Sequence, residues 1–161
     1  MVGALVAVCV GLSSAIAAQS SGWQFARWGM TPMQLGAASH GGVPAGEGST
    51  YDQMTGEYAM GRFKFDVGFA YAPRRDDPGN NDPNNLQLNA VQLNLDFASG
   101  TCAELKDYLK TLYGKPDRTF ARGPGGMLWN RKAIGDDVEY YAFDDKKLCT
   151  VTYMTLGGAS S

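Results

Sequence analysis

From Arg62 to Tyr71 every second residue is large and apolar: Phe63, Phe65, Val67, Phe69 and Tyr71 alternate with Arg62, Lys64, Asp66, Gly68 and Ala70. A period of two sustained this long specifies an antiparallel strand with one buried and one wet face, because a helix would scatter the same side chains around its circumference. Such a strand needs neighbours and a cover. Tyr51 to Met60 is expected to pair with it through a turn near Gly61, and Leu86 to Phe97 to extend the sheet. In that second run the apolar parity changes, from Leu86 and Leu88 to Val91, Leu93, Leu95 and Phe97, which predicts a β-bulge near Ala90.

Two helices are expected as the cover. Thr31-Pro32-Met33-Gln34 combines a capping hydroxyl, a proline suited to the first turn and a glutamine that reaches back, so a helix should run from Pro32 to about Ser39 and stop at Gly41-Gly42. Thr101-Cys102-Ala103-Glu104 repeats that logic, with Leu105, Tyr108, Leu109 and Leu112 on one side; Gly114 and Pro116 end this helix after Tyr113. Strands then follow around Thr119 to Arg122, Met127 to Ala133, Val138 to Phe143 and Leu148 to Leu156, with a polar turn over Asp144 to Lys147. The expected fold class is α+β, a two-layer sandwich of an antiparallel sheet with two helices packed on one face. Each half opens on a Thr-capped helix, an order compatible with tandem duplication.

Residues 1–18 read as a signal peptide: an uncharged run rich in Ala, Val and Leu, small Ala15 and Ala17 placed for cleavage after Ala17, then polar Gln19, Ser20 and Ser21. Residues 19–161 are then one exported domain, periplasmic or secreted, with no stable membrane span once the leader is removed. Cys9 leaves with the leader, so Cys102 and Cys149 remain as an even pair bound for an oxidising compartment. Cys149, Val151 and Tyr153 share one face of the last strand, which lets Cys149 look towards the first turn of the Cys102 helix. A disulfide is expected, the alternative being two buried free thiols.

Composition excludes some chemistry and leaves little of the rest. A formal charge of −2, with Lys and Arg scattered among Asp and Glu, provides no basic field for nucleic acid. His40 is the single histidine, and no nucleophile elbow surrounds Ser39 or Ser49, so no catalytic residues are assigned. Asp76, Asp77 and Asp82 lack calcium-loop spacing, Met30 and Met33 read as core filler rather than copper ligands, and the loop from Gly123 to Gly126 lacks a phosphate cradle. No metal or cofactor is expected. The acidic residues Glu104, Asp107, Asp136, Asp137, Glu139, Asp144 and Asp145 read mostly as surface charges.

Two groups of residues are candidates for contact with a partner. The aromatic set is Trp23, Trp28 and Trp129 together with Tyr140, Tyr141 and Tyr153, of which some fill the core and any left exposed would anchor a partner or a sugar chain; the second group, Arg74, Arg75, Asp76, Asp77 and Asp82, lies in a polar stretch from Pro73 to Asn85 that has nothing to bury and reads as a solvated, mobile tip. The expected function is a non-enzymatic module that binds a protein or envelope component through these residues. The alternatives are an inhibitor of a secreted enzyme and a hydrolase using a carboxylate pair.

Trp28-Gly29-Met30-Thr31-Pro32-Met33-Gln34-Leu35 resembles the Gly-Met-Thr helix opening of small envelope lipoproteins of the outer-membrane barrel-assembly machinery, and Tyr113-Gly114-Lys115-Pro116 is similar to the Gly-x-Pro stop of such helices. The resemblance implies a helix pair on a small sheet, whose tandem form resembles the β-lactamase inhibitor proteins. This chain lacks the family's lipid-attachment cysteine and keeps two cysteines in the mature part, so no functional residue is carried over.

Overall fold

The structure, a computed structural model, describes residues 22–44, 50–120, 125–131, 136–143 and 147–155. The leader over 1–18 lies outside these residues, as do residues 144–146 of the turn expected over 144–147 and residues 123 and 124 of the loop expected over 123–126. A two-stranded hairpin, β1 (Gly22–Trp23) and β2 (Ala26–Arg27), precedes helix α1 (Pro32–Ala38). Strands β3 (Tyr51–Gln53), β4 (Tyr58–Met60), β5 (Phe63–Pro73) and β6 (Leu86–Leu95) follow, then helix α2 (Cys102–Tyr113). The chain continues with β7 (Arg118–Phe120), β8 (Gly126–Arg131), β9 (Asp136–Phe143) and β10 (Leu148–Thr155).

Eight strands form one antiparallel sheet in the order β3-β5-β6-β10-β9-β8-β7, with β4 also paired to β5. The run expected as a single partner of β5 is thus two short strands. The parity change in β6 has the predicted cause: Ala70 pairs with Ala90 while Tyr71 pairs with Leu88, so Asn89 is the extra residue. That bulge returns Leu86 and Leu88 to the face that already carries Val91, Leu93 and Leu95.

Both helices begin on complete capping boxes, Thr31 with Gln34 and Thr101 with Glu104. Leu35 of α1 and Leu105 and Leu109 of α2 join one buried cluster with Phe65, Val67 and Phe69 of β5, Val91 and Leu93 of β6, Tyr140 of β9 and Val151 of β10. Cys102, the first residue of α2, is joined to Cys149 on the inward parity of β10, with Cα atoms 5.7 Å apart. The Tyr140 hydroxyl donates to the Cys102 carbonyl at 2.8 Å and satisfies a backbone group beside the bridge.

Two apolar assignments are corrected. Met33 is 71% exposed, because the seven-residue α1 turns one narrow stripe, Pro32 and Leu35, inward. Leu112 is exposed as well, since in the last turn of α2 the contact with the sheet is made by Tyr113, whose ring lies 5.8 Å from that of Trp129.

Candidate functional site

The same alternation that builds the core leaves a second face. On it the register aligns Gly68 of β5, Gln92 of β6, Thr152 of β10, Glu139 of β9 and Leu128 of β8. An adjacent row runs Asp66, Asn94, Thr150, Tyr141 and Gly126, and another runs Tyr51, Ala70, Ala90, Met154, Asp137 and Asn130. No described helix packs here, because the contacts of α1 and α2 go to the opposite face.

The face is shaped by where it carries small residues and where it carries rings. A Cβ at Gly68 would lie 1.6 Å from the Tyr51 hydroxyl, so glycine lets that phenol lie flat across β5. Gly126 does the same for a stacked pair: Phe120 and Tyr141 meet above it with centroids 6.1 Å apart and an 18° interplanar angle. Between these raised sides Ala70 and Ala90 lower the floor, leaving a trough of about 560 Å³ over β6 and β10. Gln92, Thr150, Thr152, Glu139 and Tyr141 line it with hydrogen-bonding groups. Tyr141 and Glu139 lie two residues apart on the same side of β9, and Thr150 donates to Asn94 Oδ1 at 3.0 Å. Burial pushes the Glu139 carboxyl above the ordinary carboxylate range, and neighbouring Asp137 adds to the rise, which the Tyr141 hydroxyl opposes.

The loop between β5 and β6 lies beyond one end of this trough, since Pro73 and Leu86 pair three residues beyond Ala70. Residues 74–82 are exposed, as expected of a solvated tip, and the loop also carries hydrogen bonds of its own. Asn85 is buried at its base and donates from Nδ2 to the Asp77 and Asn80 carbonyls at 2.9 and 2.6 Å, while the Arg74 Nε bonds the Asp76 carboxylate at 3.1 Å. Arg74, Asp76, Asp77 and Asp82 are brought together around this knot, and Arg75 is exposed beside them.

The tryptophans do not join that surface. Trp23 is 5% exposed and packs edge-on against Tyr58 and Phe69; Trp129 is 2% exposed and donates Nε1 to the Gly114 carbonyl at 3.0 Å. Both are core residues, because the sheet's inner face and the hairpin need large rings to fill the space beside α2. Trp28 is half-buried and donates Nε1 to Asp136 Oδ1 at 2.6 Å. Asp136 and Asp137 are themselves buried, against the expectation of surface charges. Among the described residues no three His, Cys, Asp or Glu side chains converge as a metal site requires, and no helix is long and apolar enough to cross a membrane.

Asp136 provides a test of this corner of the fold. Burial raises its carboxyl above the usual range, outweighing the Trp28 and Gly22 hydrogen bonds that favour the charged form. A raised folded-state value contributes stability that is present at acidic pH and lost as pH rises through it. Asp136→Asn keeps an acceptor for Trp28 and cannot undergo that loss. Its melting temperature relative to the parent should therefore increase between pH 3 and pH 7; a relative decrease would contradict the assignment. Carboxylates held low, such as Glu104 beside Arg62 and Thr101, titrate in both proteins and cancel in the comparison.

Of the residues lining the trough, Tyr141 and Glu139 were already named from the sequence, as an aromatic anchor and as a surface carboxylate; Asn89, Gln92, Thr150 and Thr152 were missed. Their signal was available in the outward parity, where Gln92, Thr150 and Thr152 stand in place of the Lys and Glu of an ordinary solvated face. No family model matches the chain, and no curated protein or solved structure does either.

Proposed function

We propose that this chain is an exported, non-enzymatic binding module of the periplasm or the extracellular space, and that it captures an envelope component or a protein on the second face of its sheet, with the 74–85 loop as one rim. The observation that carries this reading is the trough, a concave surface of mixed apolar and hydrogen-bonding groups placed on strands rather than on loops. The Cys102–Cys149 bridge and the secretory leader read over residues 1–18 support export. The strand order also supports a two-layer sandwich formed by tandem duplication: each half is a Thr-capped helix followed by a meander, and the last strands of the halves, β6 and β10, meet at the centre. In that arrangement the trough straddles the join. A carboxylate-pair hydrolase would need two carboxyl groups in one hollow, whereas Glu139 is the single carboxylate among the described residues lining the trough.

Affinity capture from periplasmic or culture-supernatant extract tests the reading. Replacing residues 76 to 82 with a short Gly-Ser turn removes the rim, and Ala90→Arg fills the trough from its floor. Both variants should lose the captured component while remaining folded: the melting temperature of Ala90→Arg should stay within a few degrees of the parent, since Ala90 lies outside the buried cluster, and that of the loop variant should fall somewhat further, since Asn85 loses its Asp77 and Asn80 partners. Capture that survives both changes would sink the proposal. An inhibitor that inserts the loop into an enzyme cleft would instead lose its effect in the loop variant alone, which a panel of hydrolase assays reads directly.

A further inference from the structure

The trough is selective in its chemistry. Among its described lining residues Glu139 is the one charged side chain, so an anionic ligand meets repulsion with no Lys or Arg to offset it. Amides and hydroxyls, Asn89, Gln92, Thr150 and Thr152, alternate with an apolar floor of Ala70 and Ala90 and with the larger Met154 and Phe143. Each amide both donates and accepts, each hydroxyl does the same, and a carboxylate accepts from two adjacent donors at once. That combination suits a ligand carrying many neutral hydroxyl groups. The Tyr141 ring adds a flat apolar surface at one side, placed by its stack on Phe120 over Gly126.

Dimensions narrow the occupant. Three strand spacings make the trough about 14 Å wide and five residues of β10 make it about 17 Å long, roughly 240 Å² in plan. A stable protein partner covers about 800 Å² on each side and would have to spread over the surrounding face, whereas a sugar chain is matched to the trough itself. An extended peptide would seek the unpaired backbone of a sheet edge, but β6 and β10 lie at the centre with both neighbours in place. A lipid surface would need a continuous apolar patch, which the amides interrupt.

We propose that the trough binds an uncharged oligosaccharide chain lying along β6 and β10, its hydroxyl groups held by Gln92, Thr150, Thr152 and Glu139 and a sugar ring face set against Tyr141. This rests on the reading of the second face as the capture surface and names its ligand.

Titration calorimetry of the purified protein with cellohexaose and chitohexaose, and with a heparin hexasaccharide as the anionic comparison, tests the assignment. At least one neutral hexasaccharide should bind with Kd below about 1 mM. Heparin should not bind. Tyr141→Ala and Gln92→Ala should each weaken binding about tenfold, and Ala90→Arg should abolish it. If Tyr141→Ala fails to fold, Gln92→Ala and Ala90→Arg carry the test, because neither belongs to the buried cluster. Failure of both neutral sugars, equal binding of heparin, or full affinity in the Gln92 and Ala90 variants would each overturn the proposal. If the sugars fail while Ala90→Arg still loses a captured envelope protein, the sugar assignment falls and the capture face stands. If Ala90→Arg changes neither, both fall.

Discussion

Removing the Cys102–Cys149 bridge, as Cys102→Ala with Cys149→Ala, should lower the unfolding free energy by about 4 kcal/mol. The residues are 47 apart in sequence, and closing a loop of that length removes this much conformational freedom from the unfolded chain. Against a typical total of about 5–15 kcal/mol the loss is severe. The bridge also sits where it limits motion in the folded state. It pins the first turn of α2 to the inward face of β10, and the loop it closes contains β9, whose Glu139, Tyr141 and Phe143 supply one side of the trough. Urea unfolding of the alanine pair, compared with the parent in oxidising and reducing buffer, measures the effect. A loss below about 1 kcal/mol, or a native mass map in which both thiols alkylate without reduction, would contradict it.

The second large effect is expected at Trp129. Its indole is buried among Tyr113, α2 and β9, and its Nε1 supplies the partner of the Gly114 carbonyl at the residue that ends α2. Trp129→Ala should cost about 4 kcal/mol, the cavity contributing most and the orphaned carbonyl the rest. Trp129→Phe retains a ring in the space and should cost about half as much. Denaturant midpoints at unchanged slope decide this. An alanine variant within 1 kcal/mol of the parent would show that the indole is not the packing element described. Any loss of partner binding in that variant is then a consequence of unfolding, which separates Trp129 from residues such as Tyr141 and Gln92 on the second face.

Element by element, the fold was legible where local chemistry decides it. The capping boxes at Thr31 and Thr101, the alternation from Phe63 to Tyr71 and the parity change near Ala90 each report on backbone geometry within a few residues, and each matches an observed helix start, strand or bulge. Burial was less legible. Met33 and Leu112 have the right spacing for a core stripe yet face solvent, because a short helix and a last turn reach less of the sheet than a long helix does. Asp136 and Asp137 were misread for the opposite reason: a charged type suggests surface, but Trp28 and Asn130 supply hydrogen bonds that let the carboxylates stay inside.

The candidate site was the least legible part. Its rims come from Tyr51 and from Phe120 with Tyr141, far apart in the chain, and nothing in their local sequence says that each lies over a glycine on a neighbouring strand. Trp23 and Trp129 had the composition of contact residues and were absorbed by the core instead.

Amino-acid order alone determined where this chain turns, caps and alternates, and which two thiols remain to meet, since those outcomes follow from side chains acting on nearby backbone. Which rings were buried, which carboxylates were sheltered and which amides came to share one hollow depended on the pairing of β6 with β10. That pairing joins residues more than 50 positions apart, such as Thr150 and Asn94, whose meeting is set by packing the whole inner face against two helices rather than by any local preference.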